Sequence, residues 1–296
     1  MSREAEYERR MSLWARIKQL SPERDGRGLT ATQVNELRVF YGGRGIWRDK
    51  PATSVVSEDG YGITVGLLHT GKHYADDLDD QGGLYHYPHT KNAGTDTVDI
   101  EATKNCHRLS LPLFVITRPT PSSSLRNVNL GWVSGWDDGQ GLFLVEYTER
   151  EPLAALHYER TEFVPIVKKQ YRTTETKVRT GQQRFRFQVS TRYGMVCAAS
   201  DVNVPQMLQA AHIVPDSEGG SMDPRNGLML SANLHRAFDA GLWAIHPESF
   251  EIITNPSGPS RERLGIKHQD LNHLKKKPAK QALAEHWKKM KKTWDM

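Results

Sequence analysis

The sequence predicts an α+β protein in which a β-rich domain is followed by a small domain of two strands and a helix. Short β-rich runs separated by turn-forming clusters occupy residues 43–167. Residues 209–242 then give the order strand, loop, strand, helix. Apolar residues at helical spacing occur near both ends, in residues 3–20 and 278–294. A chain of 296 residues is long enough for two separate cores.

These changes of pattern divide the chain into five segments. We predict a helical N-terminal segment over 1–42, a β-barrel-like domain over 43–167, a basic linker over 168–182, the small domain over 183–262, and a basic helical C-terminal segment over 263–296. The N-terminal helix is expected to bury one apolar stripe, formed by Tyr7, Met11, Trp14 and Ile17.

Composition excludes several classes of protein. Hydrophobic residues make up 37% and charged residues 25%, and no apolar run approaches the roughly 20 residues of a membrane helix. The N-terminus is charged and lacks a secretory apolar region. The two cysteines, Cys106 and Cys197, cannot build a four-cysteine zinc site. We therefore expect a reduced, cytoplasmic protein that does not bind membranes.

Positive charge is concentrated in two segments of a chain whose net charge is only +5. Residues 168–192 hold eight Lys or Arg and one acid, and residues 267–296 hold nine Lys and three acids. Such segregation favours a polyanionic partner such as DNA. The predicted contacts to the DNA backbone are Lys168, Lys169, Arg172 and Arg179.

The small domain carries a pattern that suits phosphodiester hydrolysis. His235 and Asp239 stand four residues apart on the predicted helix, so both side chains share one face and can bind one ion. An imidazole and a carboxylate are reasonable ligands for Mg, Mn, Ni or Zn. His212, near the centre of the first predicted strand (Leu208–Val214), could take a proton from a water beside that ion.

Three stretches of this domain, A-A-H-I-V-P, D-P-R-N-G-L-M-L and L-H-R-A-F-D-A-G-L, closely resemble the HNH (ββα-metal) nucleases. The resemblance implies that His212 is the general base and that His235 and Asp239 bind one divalent cation, with Mg, Mn, Ni or Co as candidates. It makes Asn226 an orienting residue or a ligand. Many members have Asp or His directly before the base, where this chain has Ala211. The ion would then have more water ligands, or Asn226 would bind it directly.

An acidic stretch inside the β-rich domain, residues 73–88, has four acids within five residues and tyrosines on both sides. Near DNA, such a stretch is useful in a pocket that receives a flipped base, because carboxylates accept hydrogen bonds from cytosine and aromatic rings stack on bases. An acidic surface loop is one alternative. A divalent-ion loop is another, built from Asp76, Asp77, Asp79 and Asp80. A histidine metal site is a third, built from His69, His73, His86 and His89.

Residues 72–79 and 86–88 resemble the SRA (SET- and RING-associated) domain, which reads modified cytosine by flipping it from the duplex. Weaker likeness extends to residues 43–50, 103–109 and 141–147. The resemblance implies an SRA/PUA-like β-barrel fold for the first domain.

The same resemblance makes Tyr74 and Tyr87 stack on the base and makes Asp77 bond its Watson–Crick edge. Tyr87 falls one residue later than the family's spacing, which leaves Tyr85 as a rival. Pro88 stands where the family often has a pocket Thr.

Together, the two resemblances imply a modification-dependent restriction endonuclease of the prokaryotic SRA–HNH type, acting on double-stranded DNA that carries 5-methyl- or 5-hydroxymethylcytosine. One HNH site cuts one strand, so double-strand cutting predicts a homodimer or two successive nicks. Two alternatives stay open. One is a modified-DNA reader with an inactive nuclease. The other is an HNH nuclease whose first domain reads sequence, DNA structure or phosphorothioate.

Overall fold

The computed structural model describes residues 2–41, 45–69, 77–79, 82–90, 92–120, 122–152, 161–167 and 175–295, with the backbone alone for 77–79 and 175–180. The chain divides into two compact units, Met1–Ala155 and Leu156–Met296. Within the described ranges, no helix is both long enough and apolar enough to cross a membrane.

The first unit is organised around one large sheet. Its strands are β1 (Leu29–Thr30), β2 (Ile46–Arg48), β3 (Thr64–Leu68), β4 (Asp77–Asp79), β5 (Gly82–His86), β6 (Leu113–Thr117), β7 (Leu125–Asp137) and β8 (Leu142–Tyr147). They lie in the order β2-β3-β6-β7-β8-β5-β4, with β1 paired to β7. β3 and β6 run parallel, and the other neighbours are antiparallel. The fold is thus a mixed α+β arrangement with a multi-stranded sheet.

The predicted barrel is not found in the described part of this unit. A barrel requires its two edge strands to pair with each other. Here β2 and β4 stand at opposite ends of the hydrogen-bonded path, and the pairing that would join them does not occur among the described residues. The strands were predictable from their local patterns, whereas closure depends on long-range pairing that local patterns do not encode.

The helices of the first unit are α1 (Arg3–Leu20), α2 (Ala31–Glu36), α3 (Lys50–Thr53) and α4 (Ala93–Arg108). α1 buries a different stripe from the one predicted, because Glu6 and Arg10 join it while Tyr7 and Met11 are only partly buried. Arg10 Nε contacts Glu6 Oε1 at 2.7 Å, and both side chains are fully buried. Arg10 Nη1 also donates to the Thr64 carbonyl oxygen at 2.8 Å. The N-terminal segment is therefore part of the first unit's core packing.

The second unit contains two small antiparallel hairpins held between helices. Its elements are α5 (Glu175–Tyr193), β9 (Leu208–His212), β10 (Gly227–Ser231), α6 (Ala232–Asp239), β11 (Trp243–Ile245), β12 (Ile252–Thr254), α7 (Arg261–Leu264) and α8 (Lys280–Thr293). One core cluster joins α5, the first hairpin, α6 and α8, and it includes Phe185, Leu230, Phe238 and Leu283. The predicted strand, strand, helix order of the small domain is present.

Two predicted boundaries differ from this arrangement. The expected linker, 168–182, overlaps helix α5, which begins at Glu175. Residues 161–167, predicted to end the first domain, belong to the second unit instead. Phe163 packs in that unit's core, and Ile166 forms a β-bridge with Gly220. Contacts made far along the chain decide both features, and composition alone does not encode such contacts.

Candidate active site

The β9–β10 hairpin holds His212 at the last residue of its first strand, paired in register with Gly227. The His212 side chain is half-buried. Its ring stacks on Phe185 of α5, with ring centroids 3.7 Å apart and planes inclined by only 5°. A Cβ atom built on Gly227 would lie 2.5 Å from Val189 Cγ2 and 2.8 Å from Phe185 Cζ, so only glycine allows this close approach. Helix α5 thus lies directly on the hairpin end that carries His212.

Asn226 is fully buried and ties the loop that follows His212. Its Oδ1 accepts from Val214 N at 2.9 Å. Its Nδ2 donates to the carbonyl oxygens of Val214 at 3.0 Å and Ser221 at 2.8 Å. Because the amide is sealed from solvent and engaged on both ends, it fits the orienting role and not that of a metal ligand.

Helix α6 begins after its N-cap residue Ser231 and presents His235 and Asp239 together. His235 Nε2 lies 3.4 Å from Asp239 Oδ2, and the two side chains are 23% and 55% exposed. Two ligand atoms at this separation can both bind an ion about 2.0–2.2 Å from each. The i, i+4 spacing in the sequence therefore brings the pair together as predicted.

Gln209 on β9 fixes the orientation of His235. His235 Nδ1 and Gln209 Oε1 are 2.8 Å apart. An amide oxygen only accepts hydrogen bonds, so this contact places the imidazole proton on Nδ1 and leaves the Nε2 lone pair towards Asp239. Metal-binding histidines commonly donate their other ring nitrogen to such a partner, which raises their basicity as ligands.

The residues present fit a divalent ion with an incomplete protein shell. Within the described residues, no group of three or more His, Cys, Asp or Glu side chains gathers in one place. Ala211, where the resemblance would place a further ligand, is 1% exposed and packs in the core. An ion at His235 and Asp239 would keep several water ligands, as Mg and Mn commonly do.

A cavity of about 410 Å³ lies beside His235. Helix α5, strand β9 and helix α6 each contribute to its walls, which consist of Gln182, Gln183, Arg186, Leu208, Gln209, Ala210 and His235. The cleft therefore places an arginine and three glutamines in the surroundings of the candidate metal ligand.

A second cavity of about 330 Å³ lies between α8 and the loop after His212. His286 lines it, stacks on Phe238 at 4.1 Å, and is 7% exposed. Burial lowers the pKa of His286 to about 4, so its ring is neutral at physiological pH. An ion pair between Lys289 and Glu218 joins α8 to this loop.

In the first unit, Tyr87 lies in the core instead of on an open surface. It is 5% exposed, its ring centroid is 4.4 Å from that of Phe143, and its hydroxyl donates to Asp138 Oδ1 at 2.9 Å. Burial and this carboxylate both raise the pKa of Tyr87. Its rival Tyr85 is 6% exposed and donates to the carbonyl oxygens of Gly45 and Leu68. Neither tyrosine presents a ring face to solvent.

Of the remaining predicted site residues, some are described by their backbone alone and the others lie outside the described residues. For Asp77 the structure gives only its backbone, paired with Leu84. For Arg179 it gives only a place on helix α5. The other residues predicted to touch DNA lie outside the described residues; they are Tyr74, Lys168, Lys169 and Arg172.

Sequence reasoning missed Gln209, Phe185 and Arg186 as members of this site. Gln209 meets His235 across 26 residues of sequence. Phe185 and Arg186 lie on a helix that stands before the recognisable motif. The alternation of Arg and Phe over 184–187 was a usable signal, since it places arginines next to a buried aromatic face.

Comparisons with known proteins support the nuclease assignment for part of the chain. The HNH endonuclease family matches residues 197–246. A search of curated proteins gave no match. Two solved structures resemble the chain weakly. A modification-dependent TagI restriction endonuclease is 16% identical at a TM-score of 0.34, covering 90% of this chain and 91% of that one. The type IV phosphorothioation-dependent restriction endonuclease ScoMcrA is 12% identical at a TM-score of 0.26, covering 99% and 73%.

The family match spans the β9–β10 hairpin, helix α6 and strand β11. It contains His212, Asn226, His235 and Asp239, whose arrangement was described above. The second unit of this chain therefore carries an HNH endonuclease domain.

Proposed function

We propose that the protein is a metal-dependent DNA endonuclease directed by modified cytosine. The observation that carries the nuclease half is the pair of facing ligand atoms on α6, His235 Nε2 and Asp239 Oδ2, 3.4 Å apart within the HNH endonuclease domain. The modified-base half rests on the likeness of residues 72–79 and 86–88 to the SRA domain.

In the proposed reaction, His212 takes a proton from the water that attacks the scissile phosphate. The stack on Phe185 holds the His212 ring at the hairpin end while it does so. Asn226 keeps the loop between His212 and Asn226 in place through its three hydrogen bonds. His235 and Asp239 would hold one divalent ion, which when bound stabilises charge on the phosphate and on the leaving 3′ oxygen.

Base reading is proposed for Tyr74 and Asp77, since the carboxylate of Asp77 can accept from the exocyclic amine of cytosine. Tyr87 could stack on a base only if its core packing opened. The basic residues Lys168, Lys169, Arg172 and Arg179 are proposed to contact the DNA backbone. Double-strand cutting would then need a homodimer or two nicks.

The deciding experiment is cleavage of one plasmid in unmodified, 5-methylcytosine, 5-hydroxymethylcytosine and phosphorothioate forms, with Mg, Mn or no metal. Cutting restricted to the cytosine-modified forms and dependent on metal is the expected result. Equal cutting of all forms would keep the nuclease and reject base reading. Selective binding without any cutting would make the protein a reader.

Asp77→Ala tests the reading pocket directly. We expect it to remove the preference for modified plasmid while leaving metal-dependent nicking of any DNA in place. Glu58→Ala, at an exposed acid of the same unit, is the matched control and should keep the preference. A preference that survives Asp77→Ala would reject the pocket assignment.

A further inference from the structure

We propose that Arg186 of helix α5 binds the phosphate of the DNA strand at the metal pair, and that the cleft beside His235 is the seat of that strand. The inference rests on the proposed nuclease function and names the part of the substrate that this cleft holds. Helix α5 lies outside residues 197–246, so the family match assigns it no role.

Helix α5 is fixed on the β9–β10 hairpin, which carries His212. Phe185 is 1% exposed, stacks on His212, and packs with Val189 against Gly227. Positions 185 and 189 are one helical turn apart, so they form one inward stripe. This packing against strands β9 and β10 sets the orientation of helix α5 about its own axis.

This packing turns a polar stripe of α5 towards His235. Gln182 and Arg186 are also one turn apart, and both line the cavity that His235 lines. Arg186 is partly buried. Its guanidinium is therefore carried by a helix fixed to the hairpin, which lowers the cost of ordering it on a ligand.

The charge at the metal pair favours a further cationic group in the cleft. One divalent ion with a single carboxylate ligand, Asp239, leaves a net charge of about +1 for a phosphate that gains negative charge as the water attacks. A guanidinium in the same cleft can donate two parallel hydrogen bonds to phosphate oxygens and neutralise part of that charge. Gln182 and Gln183 add amide groups that can bond sugar or base edges without selecting charge.

The test compares Arg186→Ala with Arg184→Ala in the full chain, using single-turnover cleavage and DNA affinity across a salt series. Both variants lose one positive charge from the same helix, but the two positions are about 200° apart around it. Arg184 does not line the cleft. We expect Arg186→Ala to slow cleavage about 100-fold. We also expect it to reduce the slope of log affinity against log salt by about 1.

Arg184→Ala should change cleavage less than about threefold, and Arg186→Lys should recover part of the lost rate because it restores the charge but not the paired hydrogen bonds. Manganese affinity, measured by calorimetry, should be the same in all variants. Equal losses in both alanine variants would overturn the proposal, as would a loss of manganese binding in Arg186→Ala.

Failure of the proposed function would look different. If the wild-type chain cuts no DNA, the nuclease proposal fails, and the cleft proposal is then decided by DNA affinity alone. A weaker affinity for Arg186→Ala than for Arg184→Ala would keep the cleft as a phosphate-binding groove, and equal affinities would reject it.

Discussion

The two compact units use their partly buried polar side chains in opposite ways. In the first unit, the buried side chains of Tyr87 and Lys104 both direct their donors to the exposed carboxylate of Asp138: Tyr87 donates to it, and Lys104 Nζ lies 2.7 Å from it. The Lys104 hydrogen bond keeps the pKa of Asp138 below its usual range. In the second unit, His235 and Asp239 face each other with substantial exposure, and only the far nitrogen of His235 is bonded inward.

Whether a polar group is bonded within the protein or remains accessible to a ligand indicates its role better than its residue type does. Buried donors that are bonded to a carboxylate of the protein stabilise the fold and have little capacity left for a ligand. An oriented but exposed pair keeps lone pairs for an ion. Asn226 belongs with the first kind even though it lies in the nuclease motif, because the hairpin loop uses both ends of its amide.

The largest expected effect is on the rate of DNA cleavage by the nuclease unit. His212→Ala should slow DNA cleavage about 10²–10⁴-fold, because the water loses its general base. DNA affinity, measured by fluorescence anisotropy, should change less than about threefold. His246→Ala, a partly exposed histidine of the same unit, is the control and should cut normally. Normal cutting by His212→Ala would show that another group acts as the base.

The second effect is on stability and tests a buried histidine of the nuclease unit. Because burial lowers the pKa of His286 to about 4 from 6.5, the unfolded chain binds more protons than the folded chain between these pH values. The free energy of unfolding should therefore fall as pH is lowered from 6.5 to 4, by up to about 3 kcal/mol.

Urea unfolding of the wild type and His286→Gln at several pH values measures this dependence. The difference between the two chains isolates His286, since burial also lowers the pKa of His273 in both. Parallel pH profiles for the two chains would mean that His286 does not titrate as its burial requires.

The third effect is on metal affinity. Gln209→Ala should weaken manganese binding about 10–100-fold, because His235 loses the partner that holds its Nε2 lone pair towards Asp239. Calorimetric titration measures it, with Gln281→Ala on the exposed face of α8 as the control. Unchanged affinity in Gln209→Ala would place the ion elsewhere.

The smallest expected effect is on the stability of the first unit. Tyr87→Phe should lower the stability of the first unit by about 1 kcal/mol, because one hydrogen bond to Asp138 is lost, and should leave any preference for modified DNA intact. Thermal unfolding and the plasmid assay measure the two quantities, with Tyr61→Phe at an exposed tyrosine as the control. A lost preference at unchanged stability would show that the Tyr87 hydroxyl takes part in base reading.

The nuclease motif was predictable from sequence because its signals are local. Strand β10 and helix α6 follow in the predicted order, and the meeting of His235 with Asp239 follows from helical spacing alone. The partners of these residues were not predictable. Gln209 and Phe185 reach the site through tertiary packing, which a single sequence does not specify.

The first unit was harder to predict for a related reason. Its strands β6 and β8 lie within residues 43–167, the part of the chain predicted to be rich in short strands. Strand alternation, however, says only that neighbouring side chains face opposite sides, not which side is covered. Tyr85 and Tyr87 share one face, and helix α4 together with Phe143 covers it. Sheet closure was wrong for the same reason, since it depends on pairing between distant strands.

The packing of Phe185 on His212 also sets the limits of a transferable cutting module. A chimaera that joined a new DNA-recognition domain at residue 197, where the family match begins, would lack helix α5. His212 would then lose Phe185, the ring on which it stacks. A junction near the boundary between Ala155 and Leu156 would keep α5, Phe163 and the rest of that core. For engineering a nuclease with a new target, the portable piece is therefore nearly three times as long as its recognisable signature.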